Sequence, residues 1–201
     1  MEIVIILISL TILLFSVILH EVAHGTVAYM LGDPTAKLSG RLTLNPLKHL
    51  DWTGSVFLPL VLVMINSPIL FGWAKPVPVN PFNFKDKRWG DLKVGIAGVA
   101  VNFLIAVSFS LLARFFFVSE SFFGILYYIA VINFILGIFN LLPIPPLDGS
   151  HVLFSLLGDR FSEFKIFMRQ YGIFLLVALI FLGLGWIFDL SSFLFYLISG
   201  R

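Results

Sequence analysis

Residues 19–25 read LHEVAHG and lie within an apolar, helix-length stretch that begins at Ile3. A spacing of four places His20 and His24 on one face of a helix, one turn apart, where both imidazoles can reach the same metal ion. Glu21 lies beside that pair, where a carboxylate can accept a proton from water. Each ionisable group at membrane depth costs about 2.5 to 3.5 kcal/mol on insertion scales. Three such groups together therefore indicate a functional site rather than a chance match to a short pattern.

The composition is that of a membrane protein. Of the 201 residues, 59% are hydrophobic and 12% are charged, and the mean hydropathy is +1.03. This length leaves room for four to six membrane spans in a single domain, residues 1–201, without a separate soluble domain. The chain has no cysteine, so any metal must be held by His, Asp or Glu. A net charge of +2, without basic residues interleaved with aromatics, argues against nucleic acid binding.

The hydrophobic pattern predicts an all-α, polytopic membrane bundle. The first stretch is expected to be a mature helix rather than a secretory signal, because Met1 and Glu2 provide no basic start. The expected helical segments are, in chain order, spans at 3–31, 92–118 and 122–142, an interfacial helix at 150–170 and a last span at 171–188. Only three residues separate the second and third spans, which predicts a helical hairpin.

Two segments after the first span break the helical pattern. Residues 38–45 alternate apolar and polar side chains, which predicts a short β-strand whose edge could pair with an extended substrate. Residues 54–71 are long enough to cross a membrane, but Pro59 and Pro68 interrupt them and predict a re-entrant or broken segment. Residues 72–91 are rich in proline and charge, which predicts a loop.

A catalytic metal needs a third protein ligand, and the candidates outside the first helix are His49, Asp148 and His151. Asp148 follows directly on a predicted span, so the end of that helix sets its depth. It can meet His20 and His24 if both helices end on the same face of the membrane. We therefore expect Asp148 to be the third ligand.

This arrangement determines the topology. If residues 54–71 crossed the membrane, Asp148 would lie on the wrong side, so they are expected not to span. The shared face then carries every Lys and Arg except Arg114 and Arg201. By the positive-inside rule that face is cytoplasmic and the N-terminus lies outside.

Residues 140–149 read NLLPIPPLDG, at the end of the third predicted span. The prolines unwind the helix end so that the Asp148 carboxylate can approach a metal. Gly149 is expected to allow a tight turn after it. Asn140 lies one turn before the break, where its amide could donate to a developing oxyanion.

Together, LHEVAHG at 19–25 and NLLPIPPLDG at 140–149 resemble the motifs of the site-2 protease family of intramembrane zinc metalloproteases, in its short form without an appended soluble domain. GRLTLNP at 40–46 and GWAKPVPVNP at 72–81 are also similar to short members, so the resemblance covers roughly Leu19 to Leu153. One departure is Val99, which follows Ala-Gly where the family often has proline.

The resemblance implies that His20, His24 and Asp148 ligate one Zn2+ ion, that Glu21 is the general base and acid, and that Asn140 faces the substrate. The implied activity is hydrolysis of peptide bonds within or next to membrane segments of a single-pass or other transmembrane protein. The implied location is the lipid bilayer of a prokaryotic cytoplasmic membrane, with no particular regulator indicated. The alternative is an inactive, protease-like scaffold or a zinc-binding membrane protein, which would have no need of the carboxylate of Glu21.

Small and polar residues within the spans predict close helix packing. Gly95, Gly98, Asn102 and Ala106 share one face of the second span and would let another helix approach its backbone. Asn133 lies on the same helix face as Asn140 and, like Asn102, is expected to form structural hydrogen bonds between helices.

Overall fold

The computed structural model describes residues 2–57, 60–61, 64–65, 75–116 and 119–200. The regular structure in these ranges is helical and includes no strand. In chain order the α-helices are α1 (Glu2–Met30), α2 (Thr35–Leu38), α3 (Gly90–Phe115), α4 (Glu120–Leu141), α5 (Asp148–Leu156), α6 (Ser162–Leu182) and α7 (Gly185–Ser199). Short 3-10 turns occur at Pro46–Lys48, Pro81–Asn83 and Asp159–Phe161, and Trp52–Phe57 is π-helical.

Four helices in the described ranges are long and apolar enough to cross a membrane: Ile6–Met30 of α1, α3, α4 and α6. The shorter helix α7 is also apolar but has only 15 residues. The predicted class, an all-helical polytopic membrane protein, is therefore confirmed. The four candidate spans fall within the expected four to six.

Helix α3 lies at the centre of the bundle and packs against α1, α4, α5 and α7. Small side chains allow this, since Ala106 and Ala113 are fully buried where the neighbouring helices meet α3. Helices α3 and α4 lie alongside each other as the predicted hairpin. Phe134 of α4 and Phe195 of α7 fill the core beside them.

The two buried asparagines differ in their partners. Asn133 donates from Nδ2 to Ser16 Oγ at 2.9 Å and to the Ile129 carbonyl at 2.8 Å, which ties α4 to α1 as predicted. Asn102 is also fully buried, but its amide has no hydrogen-bond partner among the residues that the structure describes. The expected structural bond is thus found for Asn133 and not for Asn102.

The predicted strand at 38–45 is wrong. Its start belongs to α2, the chain reverses at Gly40 with φ of 63°, and the backbone N–H of Arg41 donates back to the Ala36 carbonyl at 3.0 Å. Alternating side chains describe a surface with two faces, but a strand also needs a neighbouring strand to satisfy its backbone groups. No such neighbour exists in the described part of the chain.

Of two other predicted segments, one differs from the structure and the other lies mostly outside the described residues. The interfacial helix at 150–170 is wrong, because the chain breaks after α5 at Gly158 and the charged stretch from Ser162 forms the first turns of the span α6. Of the predicted re-entrant segment 54–71, only the π-helical start and a few isolated residues lie within the described ranges. The rest of that segment lies outside the described residues.

An extended segment, residues 75–80, crosses the end of α1, and we call it the strap. Its first residue is held by the 41–49 loop, where Arg41 Nη2 donates to the Lys75 carbonyl at 2.5 Å and the Lys75 N–H donates to the His49 carbonyl at 2.9 Å. Its last residue, Asn80, donates its N–H to Asp33 Oδ2 at 2.7 Å. The strap is therefore fixed at both ends by residues that follow α1.

Asp33 has no exposed surface and anchors the strap through several donors. Besides Asn80, its carboxylate accepts from the Asn83 amide at 2.8 Å and from the Thr35 N–H at 3.1 Å. Burial by itself raises the pKa of Asp33, but the hydrogen bonds from Asn80, Asn83 and Thr35 outweigh it and leave the pKa below its ordinary value. The anchor is therefore ionised at neutral pH.

The substitution Asp33→Asn is expected to loosen the strap, at a cost of about 1 to 3 kcal/mol, because a charged acceptor of several hydrogen bonds is lost. In the wild type, the ionised carboxylate contributes fully to the free energy of unfolding above its unfolded-state pKa of about 3.9. This contribution is lost as the pH falls through the lower pKa of the folded state. Hydrogen exchange at the Asn80 amide measures the effect. The control is Asp189→Asn at an exposed site on α7. Unchanged exchange at Asn80 in Asp33→Asn would contradict the anchoring role.

Candidate metal centre

Three donor atoms converge where α1 meets the start of α5. His20 Nε2 and His24 Nε2 are 3.0 Å apart, and Asp148 Oδ2 lies 3.0 Å from the first and 3.2 Å from the second. Both imidazoles are buried, with 7% and 8% of their residue surface exposed. Among the described residues, this is the one group of three or more His, Asp or Glu close enough to share a metal.

A backbone carbonyl fixes the orientation and tautomer of His24. Its Nδ1–H donates to the Val94 carbonyl of α3 at 2.7 Å. A carbonyl oxygen can only accept, so the proton of the neutral ring lies on Nδ1 and the lone pair lies on Nε2. That lone pair faces the carboxylate of Asp148 and the second imidazole. Electron-rich atoms at such separations need a cation among them, and the hydrogen bond from the far side of the ring is typical of metal-binding histidines.

The donor set fits zinc. Tetrahedral zinc with bonds of about 2.0 to 2.1 Å places its ligands roughly 3.3 Å apart, close to the separations in this cluster. Two imidazoles and one carboxylate also leave a fourth position for water or substrate, as in catalytic rather than structural zinc sites. An aspartate is ordinarily ionised at neutral pH, so Asp148 can supply the anionic oxygen of this ligand set.

Two glycines leave the space that the cluster requires. A Cβ at Gly98 of α3 would lie 2.6 Å from His20 Cε1 and 2.7 Å from His20 Nδ1, and closer still to His24 Nε2. A Cβ at Gly149 would lie 2.5 Å from the carbonyl oxygen of Leu142. Gly149 is helical and does not have a positive φ, so the expected tight turn is not the reason for glycine there. It is needed because the first turn of α5 contacts the end of α4.

Glu21 lies beside the cluster and contacts the strap. Its Oε2 accepts a hydrogen bond from the Val77 N–H at 2.7 Å. The residues on either side, Pro76 and Pro78, have no N–H, so Val77 is the donor that this part of the strap can offer. Together, the strap, Glu21 and the three donors line a cleft of about 320 Å3.

The comparisons with known proteins agree with this geometry. Residues 116–181 match the model for Peptidase family M50. The chain is 37% identical over 185 residues to YwhC, a candidate zinc metalloprotease of Bacillus subtilis strain 168, and the match covers 86% of this chain and 80% of that protein. This chain belongs to peptidase family M50.

Two further relatives are also named as zinc metalloproteases. The M50 chain is 29% identical over 197 residues to Rip2, a candidate zinc metalloprotease of Mycolicibacterium smegmatis, covering 92% of this chain and 74% of that protein. It is also 29% identical over 159 residues to the zinc metalloprotease MJ0392 of Methanocaldococcus jannaschii, covering 78% of this chain and 36% of that protein. No solved structure matches the chain significantly. The protein is thus a zinc metalloprotease with membrane-spanning helices, as the sequence predicted.

Of the other predicted site residues, Asn140 and His151 line the cleft and His49 does not. Asn140 lines the cleft, and its Nδ2 donates to the Leu136 carbonyl at 2.9 Å. His151 is exposed at the rim of the same cleft, outside the metal-binding group. His49 is 1% exposed, and its Nε2 contacts the Thr43 carbonyl at 2.8 Å, away from the cleft lining. Of the two spare histidines, only His151 therefore borders the cleft.

Three features of the M50 site were not predicted from sequence: the Val94 carbonyl, the Val77 N–H and the direct contact of Gly98 with both imidazoles. A backbone donor or acceptor has no residue-type signature, so Val94 carries no signal. The alternation Pro-Val-Pro at 76–78 is a signal that could have been used, because it leaves one N–H between two prolines. The glycine stripe on α3 predicted a close approach but not the side chains that approach it.

Proposed function

We propose that this M50 enzyme hydrolyses peptide bonds within or next to the transmembrane segments of membrane-protein substrates. In this proposal His20, His24 and Asp148 hold the zinc ion and Glu21 is the general base and acid. The observation that carries it is the convergence of Asp148 of α5 with His20 and His24 of α1, a helix that is long and apolar enough to cross a membrane, with Glu21 beside them.

The depth of the centre supports an intramembrane substrate. Six residues separate His24 from the end of the span at Met30, which is roughly 9 Å at 1.5 Å per residue. The metal-binding group then lies below the membrane surface, nearer the face where α1 ends. The cleft that the strap lines reaches this group and offers a route for water. In this proposal the scissile peptide bond enters the same cleft from the bilayer.

The reaction follows from the positions of the side chains. Zinc bound at this site supplies a Lewis acid for the scissile carbonyl and activates water. Glu21 accepts the proton of the attacking water and delivers it to the leaving nitrogen, so that one carboxylate serves both halves of the reaction. Its Oε2 accepts the hydrogen bond from Val77, and the second oxygen of the carboxylate can accept from the water at the same time. A helical substrate must also unwind locally, because its carbonyls are engaged in internal hydrogen bonds.

We propose a topology in which α1 ends on the cytoplasmic side and the N-terminus lies outside. The α3–α4 hairpin begins and ends on the same face, which brings Asp148 back to His20 and His24. Residues 54–71 do not cross the membrane in this topology. The cytoplasmic face then carries the basic residues Lys37, Arg41, Lys48, Lys75, Lys85, Lys87, Arg88, Lys93, Arg160, Lys165 and Arg169.

Reconstitution with a single-pass substrate tests both parts of the proposal. Cleavage in proteoliposomes is expected to stop on chelation and to return with Zn2+, with the scissile bond mapped by mass spectrometry to the membrane segment or its edge. Because the chain has no cysteine, single cysteines can report orientation. Lys85→Cys should react with an impermeant maleimide only from the cytoplasmic side, and Glu120→Cys only from outside. Cleavage confined to soluble peptides would refute the intramembrane substrate, and no cleavage in the zinc-loaded protein would favour the inactive scaffold.

We further propose that Asn140 helps to hold the oxyanion. One N–H of its amide is bonded to Leu136, and the other has no partner among the described residues and can donate into the cleft that Asn140 lines. Asn140→Ala is expected to lower kcat about 100-fold with zinc content unchanged. Asn133→Ala provides the contrast, since it removes the bond to Ser16 and should lower thermal stability instead. A loss of zinc or stability in Asn140→Ala that parallels the loss of kcat would make the residue structural.

A further inference from the structure

A second cavity, of about 530 Å3, lies next to the active-site cleft. Four cationic side chains line it: Lys87 and Arg88, which precede α3, and Lys165 and Arg169 in the first turns of α6. We call it the basic pocket. Asp91 is the one carboxylate in its lining, and no carboxylate lies within 4.0 Å of these four cations among the side chains that the structure describes. The basic pocket therefore has a strong excess of positive charge.

Both arginines of the basic pocket are held against aromatic rings. The Arg88 guanidinium lies 5.0 Å from the centre of the Trp89 ring, and that of Arg169 lies 5.5 Å from the centre of the Phe154 ring. Cation–π contacts restrict the guanidinium while leaving its N–H groups free for an anion. A planar guanidinium matches the oxygens of a phosphate with two parallel hydrogen bonds.

The basic pocket is placed where a lipid headgroup would lie. Lys165 and Arg169 occupy the beginning of the candidate span α6. Further along the same helix, Ile166, Ile173 and Phe174 are more than half exposed, as expected for side chains that face acyl chains. Helix α6 is peripheral, and its contacts with the rest of the described chain include the turn before it, the region of Pro145 and, through Arg169, Phe154 of α5. Lipid can therefore reach the pocket from the side.

We propose that the basic pocket binds the phosphate of an anionic phospholipid headgroup from the adjoining leaflet. Basic pockets between transmembrane helices on the cytoplasmic side are suited to such headgroups, and the volume of this one accommodates a glycerophosphate group. The headgroup bridges α6 and the segment before α3. Asp91 and His151 line both cavities, so the bound lipid lies directly beside the active-site cleft. This binding requires no proteolysis, so it stands or falls independently of the proposed activity.

Native mass spectrometry of the purified, zinc-loaded full chain tests the proposal. Phosphatidylglycerol and phosphatidylcholine with the same acyl chains are titrated in separate samples, and the ratio of their dissociation constants is the readout. The wild type is expected to prefer phosphatidylglycerol. In Arg88→Gln/Arg169→Gln that preference should fall by about tenfold or more, because two cations near the headgroup are removed. The charge-matched control, Lys48→Gln/Lys75→Gln, alters exposed lysines outside the pocket and should keep the preference within about twofold.

Further arms separate the remaining explanations. Arg88→Lys/Arg169→Lys keeps the charge but loses the paired N–H groups, so its preference should lie between those of the wild type and the double glutamine variant. Thermal unfolding of both variants near the wild-type temperature shows that the glutamine variant loses a site and not its fold. Inorganic phosphate should fail to displace the lipid at concentrations far above that of the lipid. Displacement by phosphate would identify a site for free anions instead. Equal losses in the pocket and control variants, or equal binding of both lipids to the wild type, would overturn the proposal.

Discussion

Glu21→Gln is expected to abolish cleavage of a membrane substrate while the protein keeps its full content of zinc. A general acid–base group contributes about 100-fold to 10,000-fold to a rate, and Glu21 is proposed to act in both proton transfers, so the loss should lie near the upper end. The glutamine carbonyl can still accept the hydrogen bond from Val77, which leaves the strap in place. The substitution therefore separates proton transfer from the anchoring of the strap.

Two measurements on the same samples are needed, cleavage in liposomes and metal content by elemental analysis. The matched control is Glu163→Gln, which makes the same chemical change at an exposed position in the first turn of α6. It should cleave at the wild-type rate. Cleavage by the zinc-loaded Glu21→Gln protein at an undiminished rate would disprove the proposed mechanism. A variant that loses its zinc would instead place Glu21 among the groups that support the metal.

Gly98→Ala is expected to lower zinc affinity about 10-fold to 100-fold, the range seen when groups that orient metal ligands are disturbed. The new methyl group would occupy the space of His20 and His24, so both imidazoles must move away from Asp148. Elsewhere in a helix the same change is favourable by about 1 kcal/mol, because alanine has the higher helix propensity. Weaker zinc binding by a protein whose helices remain intact would therefore indicate a clash with the imidazoles.

Gly124→Ala on α4 is the control, since a Cβ at Gly124 would meet no atom within 4 Å. Competition with a chelator of known affinity measures zinc binding, and thermal unfolding of the metal-free proteins measures stability. The metal-free Gly98→Ala protein should unfold within about 2 kcal/mol of the wild type, because the helix propensity of alanine partly offsets the cost of displacing the imidazoles. Its holo form should in addition lose part of the increment that zinc provides. Wild-type zinc affinity in Gly98→Ala would show that the imidazoles are not confined as the structure indicates.

The parts of the site that could be predicted are those in which residue type and spacing carry the information. A spacing of four placed His20 and His24 together, and the helix end before Asp148 fixed the depth of the third donor. Geometry that depends on which distant segments meet could not be predicted. The alternation at 38–45 favours a strand, because a local pattern does not show that Arg41 donates to the strap carbonyls of Lys75 and Pro76. The charged start of α6 favours an interfacial helix, because its charges resemble those of a helix lying on a membrane.

The hydrogen bond from Val77 occupies only one oxygen of the Glu21 carboxylate. A carboxylate can accept several hydrogen bonds, so the other oxygen stays able to accept a proton from water while the strap is in place. With both ends of the strap anchored, this bond orients the proposed base without inhibiting it, and proton transfer requires no prior movement of the strap.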